Sequence, residues 1–171
     1  MPRQLINALL FQLGWFICVL SGDSLWLLLG VAILLAHLRW IGRWADEGPM
    51  IVGIALIGIA LDSFLNWLGV FEFQQVSLLV PLWLMLLWAL LATTLRHGLA
   101  WSARPWWLGC LLGALGGPLS YYAGGRLAGV TFPYGTGPTL LGLGVLWALL
   151  LPLLHVLARP APQEPPLVTG D

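Results

Sequence analysis

The chain has 171 residues, of which 60 % are hydrophobic and only 8 % charged, with seven arginines, no lysine and seven acids. A soluble domain carries roughly 25 % charged residues, and so few charges cannot cover a soluble core of this size. The net charge of zero comes without a basic stripe, which excludes a nucleic-acid partner, and two cysteines cannot build a disulfide framework.

In chain order, Gln4 to Leu20 is the first apolar run. Arg3 before it imitates the charged start of a signal peptide. However, Asn7, Gln12, Trp15 and Phe16 are wrong for one, and no small-residue cleavage site follows, so a retained span is expected. Ser21-Gly22-Asp23-Ser24 is a turn, with Asp23 or Ser24 as the N-cap of a second span over 25–40. Arg43 to Pro49 reads as a polar connector, and Met50 to Gly69 as a third span carrying Asp62 and Asn66 at i, i+4. Val70 to Val76 is too short to cross a bilayer and is expected at the surface. Ser77 is expected to cap a fourth span over 78–95, with Pro81 in its first turn. A basic and aromatic loop leads to a fifth span over 105–126. A Gly- and Pro-rich loop and Pro138 then open a sixth span over 138–158. Residues 159–171 are Pro-rich and polar and read as a disordered tail.

The fold class is therefore all-α: a polytopic transmembrane bundle of six spans forming a single domain over residues 1–158. With the N-terminus inside, Arg3, Arg39, Arg43, Arg96, Arg104 and Arg159 fall on the cytoplasmic side and only Arg126 outside. That bias puts both termini in the cytoplasm. Trp40, Trp44, Trp101, Trp106 and Trp107 beside these arginines read as an interfacial belt.

The fifth span has an unusual pattern. Gly109, Gly113, Gly117, Tyr121 and Gly125 recur every four residues, a nearly bare stripe that lets a neighbouring helix approach closely. Pro118 sits beside the stripe, and this helix is expected to be the central packing element. Asp62 lies ~18 Å into its span at 1.5 Å per residue. A carboxylate that deep costs at least ~2.5–3.5 kcal/mol and marks either function or helix pinning. At similar depth lie Asn66, Ser120, Tyr121 and Tyr122, with Arg126 at the outer boundary. Together they form a candidate polar pocket open to the outer leaflet. A tyrosine hydroxyl would donate to Asp62, and Asn66, a tyrosine or water would bridge towards Arg126.

No motif for a cofactor, a phosphate loop or a nucleophile is present, so no catalytic residue is assigned. His37, His97 and His155 all fall in the cytoplasmic half but lack a helical i, i+4 pair, so no metal site is expected. His37 is instead expected to reach Asn7 or Gln12. Thr93 and Thr94 are expected to bond back to their own helix, and Cys18 and Cys110 to remain unpaired.

Asn7, Phe11-Gln12, Trp15, the Pro81-Leu82-Trp83 step and Leu86-Leu87-Trp88-Ala89 carry a resemblance. So do Ala92-Thr93-Thr94-Leu95, Leu99-Ala100-Trp101 and, above all, Leu112 to Tyr121 running on to Gly125. Together these resemble a family catalogued as domain of unknown function 2878, and the similarity extends to about Leu157. The resemblance implies a compact multi-span unit of a bacterial inner membrane and no established activity. Three readings are then open. The first is a lipid-associated accessory or binding protein, with membrane lipids and a membrane-protein partner as its partner classes. The second is a small transporter subunit, which the absence of an internal repeat disfavours. The third is an intramembrane lipid-modifying enzyme, for which no second carboxylate at the same depth is present.

Overall fold

A computed structural model describes residues 2–74 and 77–160. Six α-helices follow in order: α1 Pro2–Ser21, α2 Leu27–Trp40, α3 Trp44–Trp67, α4 Leu82–Thr94, α5 Trp106–Ala128 and α6 Thr136–Leu157, with a short 3-10 turn at Ala100–Ala103 before α5. The predicted tail from residue 161 and the end of the 70–76 connector lie outside the described residues. Among the described residues three helices, α1, α3 and α6, are long and apolar enough to cross a membrane. At 14 and 13 residues, α2 and α4 are ~20 Å long on a 1.5 Å rise, short of the ~30 Å hydrocarbon core.

Contacts between helix ends establish an up-and-down arrangement. Asn7 near the start of α1 meets His37 near the end of α2 and Thr93 near the end of α4. Glu47 in the first turn of α3 meets His97 just beyond α4, and Arg96 reaches Ala158 at the end of α6. Large apolar side chains such as Leu141, Leu149, Leu119 and Leu35 stand outward, 60–75 % exposed. An exposed apolar surface of this extent belongs against lipid rather than water.

Several expectations need correction. The centre of the bundle is α4, not the glycine-striped α5: α4 packs against α1, α2 and α3, whereas α5 packs chiefly on α6. Trp83, Leu84, Trp88, Leu90, Ala92, Thr93 and Thr94 of α4 are all buried. A bare stripe accommodates one neighbour, and the rest of α5 presents Leu111, Leu115, Leu119 and Leu127 outward. The connector over 43–49 is mostly helix, since α3 begins at Trp44. Pro49 removes one helical N–H there, but its would-be acceptor, Ala45, is exposed at the helix end.

Phe71, expected at the surface, is 1 % exposed. The cause lies in two matching helix ends. After α3, Gly69 turns left-handed at φ 70° and the Val70 N–H closes on the Leu65 carbonyl. After α5, Gly129 does the same at φ 69°, and Val130 closes on Gly125. Both are Schellman closures. The chains that emerge pair through Glu72 and Thr131, each N–H donating to the other's carbonyl at 3.0 Å. This bridge folds Phe71, Phe73, Val130 and Phe132 inward as a lid of aromatic and aliphatic carbon over the bundle end.

Asp23 does cap a helix, but not the next one. Its carboxylate accepts the Trp83 N–H at 3.0 Å, serving an orphan donor at the start of α4. Ser77 accepts the Leu79 N–H ahead of α4, which itself starts after Pro81.

Candidate functional site

The interior is built around two stacked indoles and the three glycines that admit them. Gly58 on α3 leaves room for the ring of Trp88 on α4; a Cβ there would fall 1.9 Å from a ring atom. Trp88 stacks on Trp147 of α6, with centroids 5.4 Å apart and planes 10° from parallel. Trp147 in turn rests on α5, where a Cβ at Gly117 would meet its ring at 2.3 Å, and one at Gly113 its carbonyl oxygen at 2.1 Å. The four helices are thus drawn together as glycine, indole, indole, glycine. Gly109, Gly113, Gly117, Gly125 and Pro118 are all buried. Gly109 faces Ser102 and Pro152, and Gly125 faces Phe132.

One turn beyond each glycine lies a polar group. Asp62 follows Gly58, and Tyr121 follows Gly117. The Tyr121 hydroxyl donates to Asp62 Oδ1 at 2.5 Å, and Trp88 Nε1 donates to Oδ2 at 2.7 Å. Asp62 is completely buried, so both oxygens are satisfied and shielded. Trp147 Nε1 has no acceptor among the described residues, so that indole is held by packing against Trp88, Tyr121 and the glycines of α5.

This arrangement differs from the outward-opening pocket expected from sequence. Asp62 and Tyr121 come together, whereas Ser120 accepts a separate bond from Trp15 Nε1 at 2.9 Å. Asn66 donates to the Ser77 carbonyl in the loop before α4. Tyr122 and Arg126 point away from Asp62 and are exposed. The i, i+4 relation of Tyr122 to Arg126 places that pair on the outer face of α5, while Tyr121 shares the inner face with the glycines. Trp88, which completes the Asp62 site, gave no sign in the sequence beyond a glycine and an acid four apart on the facing helix.

Beside the stacked indoles runs a cavity of 220 Å³. Phe11, Trp15 and Val19 of α1 line one side, and Leu112, Gly116 and Gly124 of α5 the other. Leu84, Leu87 and Leu91 of α4 form its back, and the Phe71–Phe73 and Val130–Phe132 segments close one end. Its surface is almost wholly carbon, with Ser120 and Tyr121 among the residues that line it.

A second buried polar cluster lies at the arginine-rich end. Glu47 receives His37 Nε2 at 3.0 Å on one oxygen and His97 Nε2 at 2.7 Å on the other. The three ligand-type atoms lie within 4.8 Å of one another, a spacing that invites a metal. Asn7 decides against it. Its Oδ1 accepts the Gly98 N–H at 2.9 Å and its Nδ2 donates to the Thr93 carbonyl at 3.3 Å, which fixes the amide orientation. The same Nδ2 faces His37 Nδ1 at 3.1 Å, so Nδ1 is the acceptor and Nε2 carries the proton towards Glu47. A metal on Nε2 would move that proton to Nδ1, against a fixed amide donor. Adding Zn²⁺ or EDTA to the purified protein should therefore leave its melting temperature unchanged. A ligand at 100 times its Kd would contribute about 2.7 kcal/mol, so a rise of several degrees with Zn²⁺ would refute the assignment.

Of the two partners expected for His37, the structure uses Asn7. Glu47 was missed because it sits among polar residues before Pro49. His155 is apart from the other histidines, bonded to Ser102 at 2.9 Å. Thr93 and Thr94 donate to Leu90 and Leu91 in the preceding turn, and both cysteines are free.

A search of curated proteins and a search of solved structures each return no match. A family model described as "Protein of unknown function (DUF2878)" matches residues 4–153, nearly the whole of the six-helix unit just described, and the chain belongs to that family.

Proposed function

We propose that the chain is a six-span, lipid-associated protein of a bacterial inner membrane that holds one hydrocarbon chain of a membrane lipid in the cleft between α1 and α5. The observation that carries this reading is the carbon-lined cavity. At 220 Å³ it exceeds the ~150 Å³ engineered cavity that takes up a benzene ring. Left unfilled, its carbon lining forgoes the dispersion contacts of a packed neighbour, a cost that grows with the space left empty. A lipid tail, already present at the outer faces of α1 and α5, offsets that cost without new polar chemistry.

The remaining parts of the reading rest on charge and packing. Six arginines at one end of the bundle favour that end as cytoplasmic, with both termini there. α2 and α4 are short on helical rise alone, and the exposed apolar Leu25 and Trp26 before α2 and Leu78 and Leu79 before α4 lengthen the apolar surface of those two crossings. Asp62 acts as a pin between α3, α4 and α5, because no path leads from the cleft to its oxygens past Trp88 and Tyr121.

Filling the cleft tests the proposal. A Cβ at Gly116 meets only Leu112 Cδ1, at 3.9 Å, so Gly116→Phe puts a ring into the cavity without a backbone clash. Native mass spectrometry of the protein released from nanodiscs of phosphatidylcholine alone should count one retained lipid per wild-type chain. Gly116→Phe should retain at least about tenfold less, the equivalent of about 1.4 kcal/mol. Leu115→Phe, on the outward face, should behave as wild type. Equal retention by all three proteins would overturn the proposal.

A further inference from the structure

At the arginine-rich end, away from the lipid-tail cleft, a second pocket is enclosed by the end of α6, the 3-10 turn and the loop after α4. Arg96, Arg104 and Arg159 line it together with Trp106, Ser102 and His155. Arg96 and Arg104 belong to the one loop between α4 and α5, and the fold brings Arg159, just past α6, to join them. Among the described residues no carboxylate lines this pocket, and none forms an ion pair with these arginines.

The three arginines do different work. The carbonyl-rich ends of α4 and α6 converge here, and a helix C-terminus repels anions. Arg96 offsets this at the end of α6, where its Nε donates to the Ala158 carbonyl at 2.7 Å and Nη2 to the Arg159 carbonyl at 3.5 Å, while Nη1 turns to the Asp46 carbonyl in the first turn of α3 at 2.7 Å. Three of its five N–H groups are thereby committed. Arg104 and Arg159 remain exposed, and among the described residues neither forms an ion pair. Ser102 and His155 are buried beneath them, bonded to each other. Trp106, 71 % exposed, stands at the mouth, where an indole is suited to the headgroup level of a bilayer.

We infer that this pocket binds the phosphate group of an anionic membrane phospholipid, with Arg104 and Arg159 as the forks that hold it and Arg96 as the positioning residue that offsets the carbonyls at the end of α6 beneath. Planar guanidinium groups match phosphate oxygens in pairs, and basic pockets between membrane helices on the cytoplasmic side are suited to anionic headgroups. The site is separate from the cleft, and its occupancy does not depend on what fills the cleft.

The test uses the full chain in nanodiscs of phosphatidylcholine doped with phosphatidylglycerol, reading the retained lipid class by native mass spectrometry after gentle release. Wild type should retain phosphatidylglycerol in preference to phosphatidylcholine. That preference should fall by about fivefold for each arginine removed in Arg104→Gln and Arg159→Gln. The control Arg3→Gln with Arg39→Gln removes the same charge from exposed positions at the same end, outside the pocket, and should keep the preference. Gly116→Phe should keep it too, which separates this site from the tail cleft. Equal loss in the Arg3/Arg39 control would reduce the effect to general interfacial attraction and overturn the site. Displacement of phosphatidylglycerol by millimolar inorganic phosphate would reassign the pocket to a soluble phosphate and overturn the lipid source.

Discussion

Gly58→Ala should abolish most of the folded protein recovered in mild detergent, although it adds only one methyl group. The added carbon would lie 1.9 Å from a ring atom of Trp88, and that ring cannot retreat because Trp147 is stacked against its other face. Behind Trp147 stands the backbone of α5 at Gly113 and Gly117. Overpacking typically costs ~1–3 kcal/mol, and a clash transmitted through four helices belongs at or above the top of that range. The variant Gly58→Ala with Trp88→Leu should recover folded protein relative to Gly58→Ala alone, since the smaller side chain vacates the contested space. A coupling energy near zero in that double-mutant cycle would mean that the glycine does not serve the indole.

Asp62→Ala should come next in severity, and Asp62→Asn should be mild. Truncation strands two buried donors, Trp88 Nε1 and the Tyr121 hydroxyl. Each unsatisfied group costs roughly 1–3 kcal/mol, so the total is about 2–6 kcal/mol. In Asp62→Asn the carbonyl oxygen still accepts from Trp88, and the Tyr121 hydroxyl can turn to accept from the new NH₂. The folded fraction in detergent and the lipid retained per chain are the readouts. If Asp62 is a pin, Asp62→Asn should keep both near wild type. Intact folding with lost retention would make the carboxylate part of the binding chemistry instead.

The sequence disclosed what depended on spacing and hid what depended on long-range packing. The four-residue glycine repeat of α5 is visible because a helix turns every 3.6 residues, and the structure supplies its neighbour, α6. The six helices in their order are legible from apolar run length. Which helix lies at the centre is not, because lipid and protein interior are equally apolar and leave the same composition on α4 as on α6. Glu47 was hidden by its polar surroundings, since nothing local tells a solvated acid from one enclosed by His37 and His97. Phe71 was hidden for a related reason: its burial follows from the Glu72–Thr131 bridge, which joins segments about 60 residues apart. Of the polar residues grouped by depth, Asp62 and Tyr121 meet, while Asn66, Tyr122 and Arg126 do not join them. Depth along a helix follows from sequence arithmetic, but the face turned towards a neighbour depends on which neighbour is there.

The central claim is that a lipid tail occupies the cleft between α1 and α5, and photo-crosslinking reads that directly. The protein would be reconstituted with a phospholipid carrying a diazirine within one acyl chain, irradiated, digested and mapped by mass spectrometry. The account predicts adducts on cleft residues such as Phe11, Trp15 and Leu112, lost in Gly116→Phe, in addition to adducts on outward residues such as Leu141 and Leu149. Adducts confined to the outward residues, with the cleft unlabelled in the wild-type protein, would contradict it.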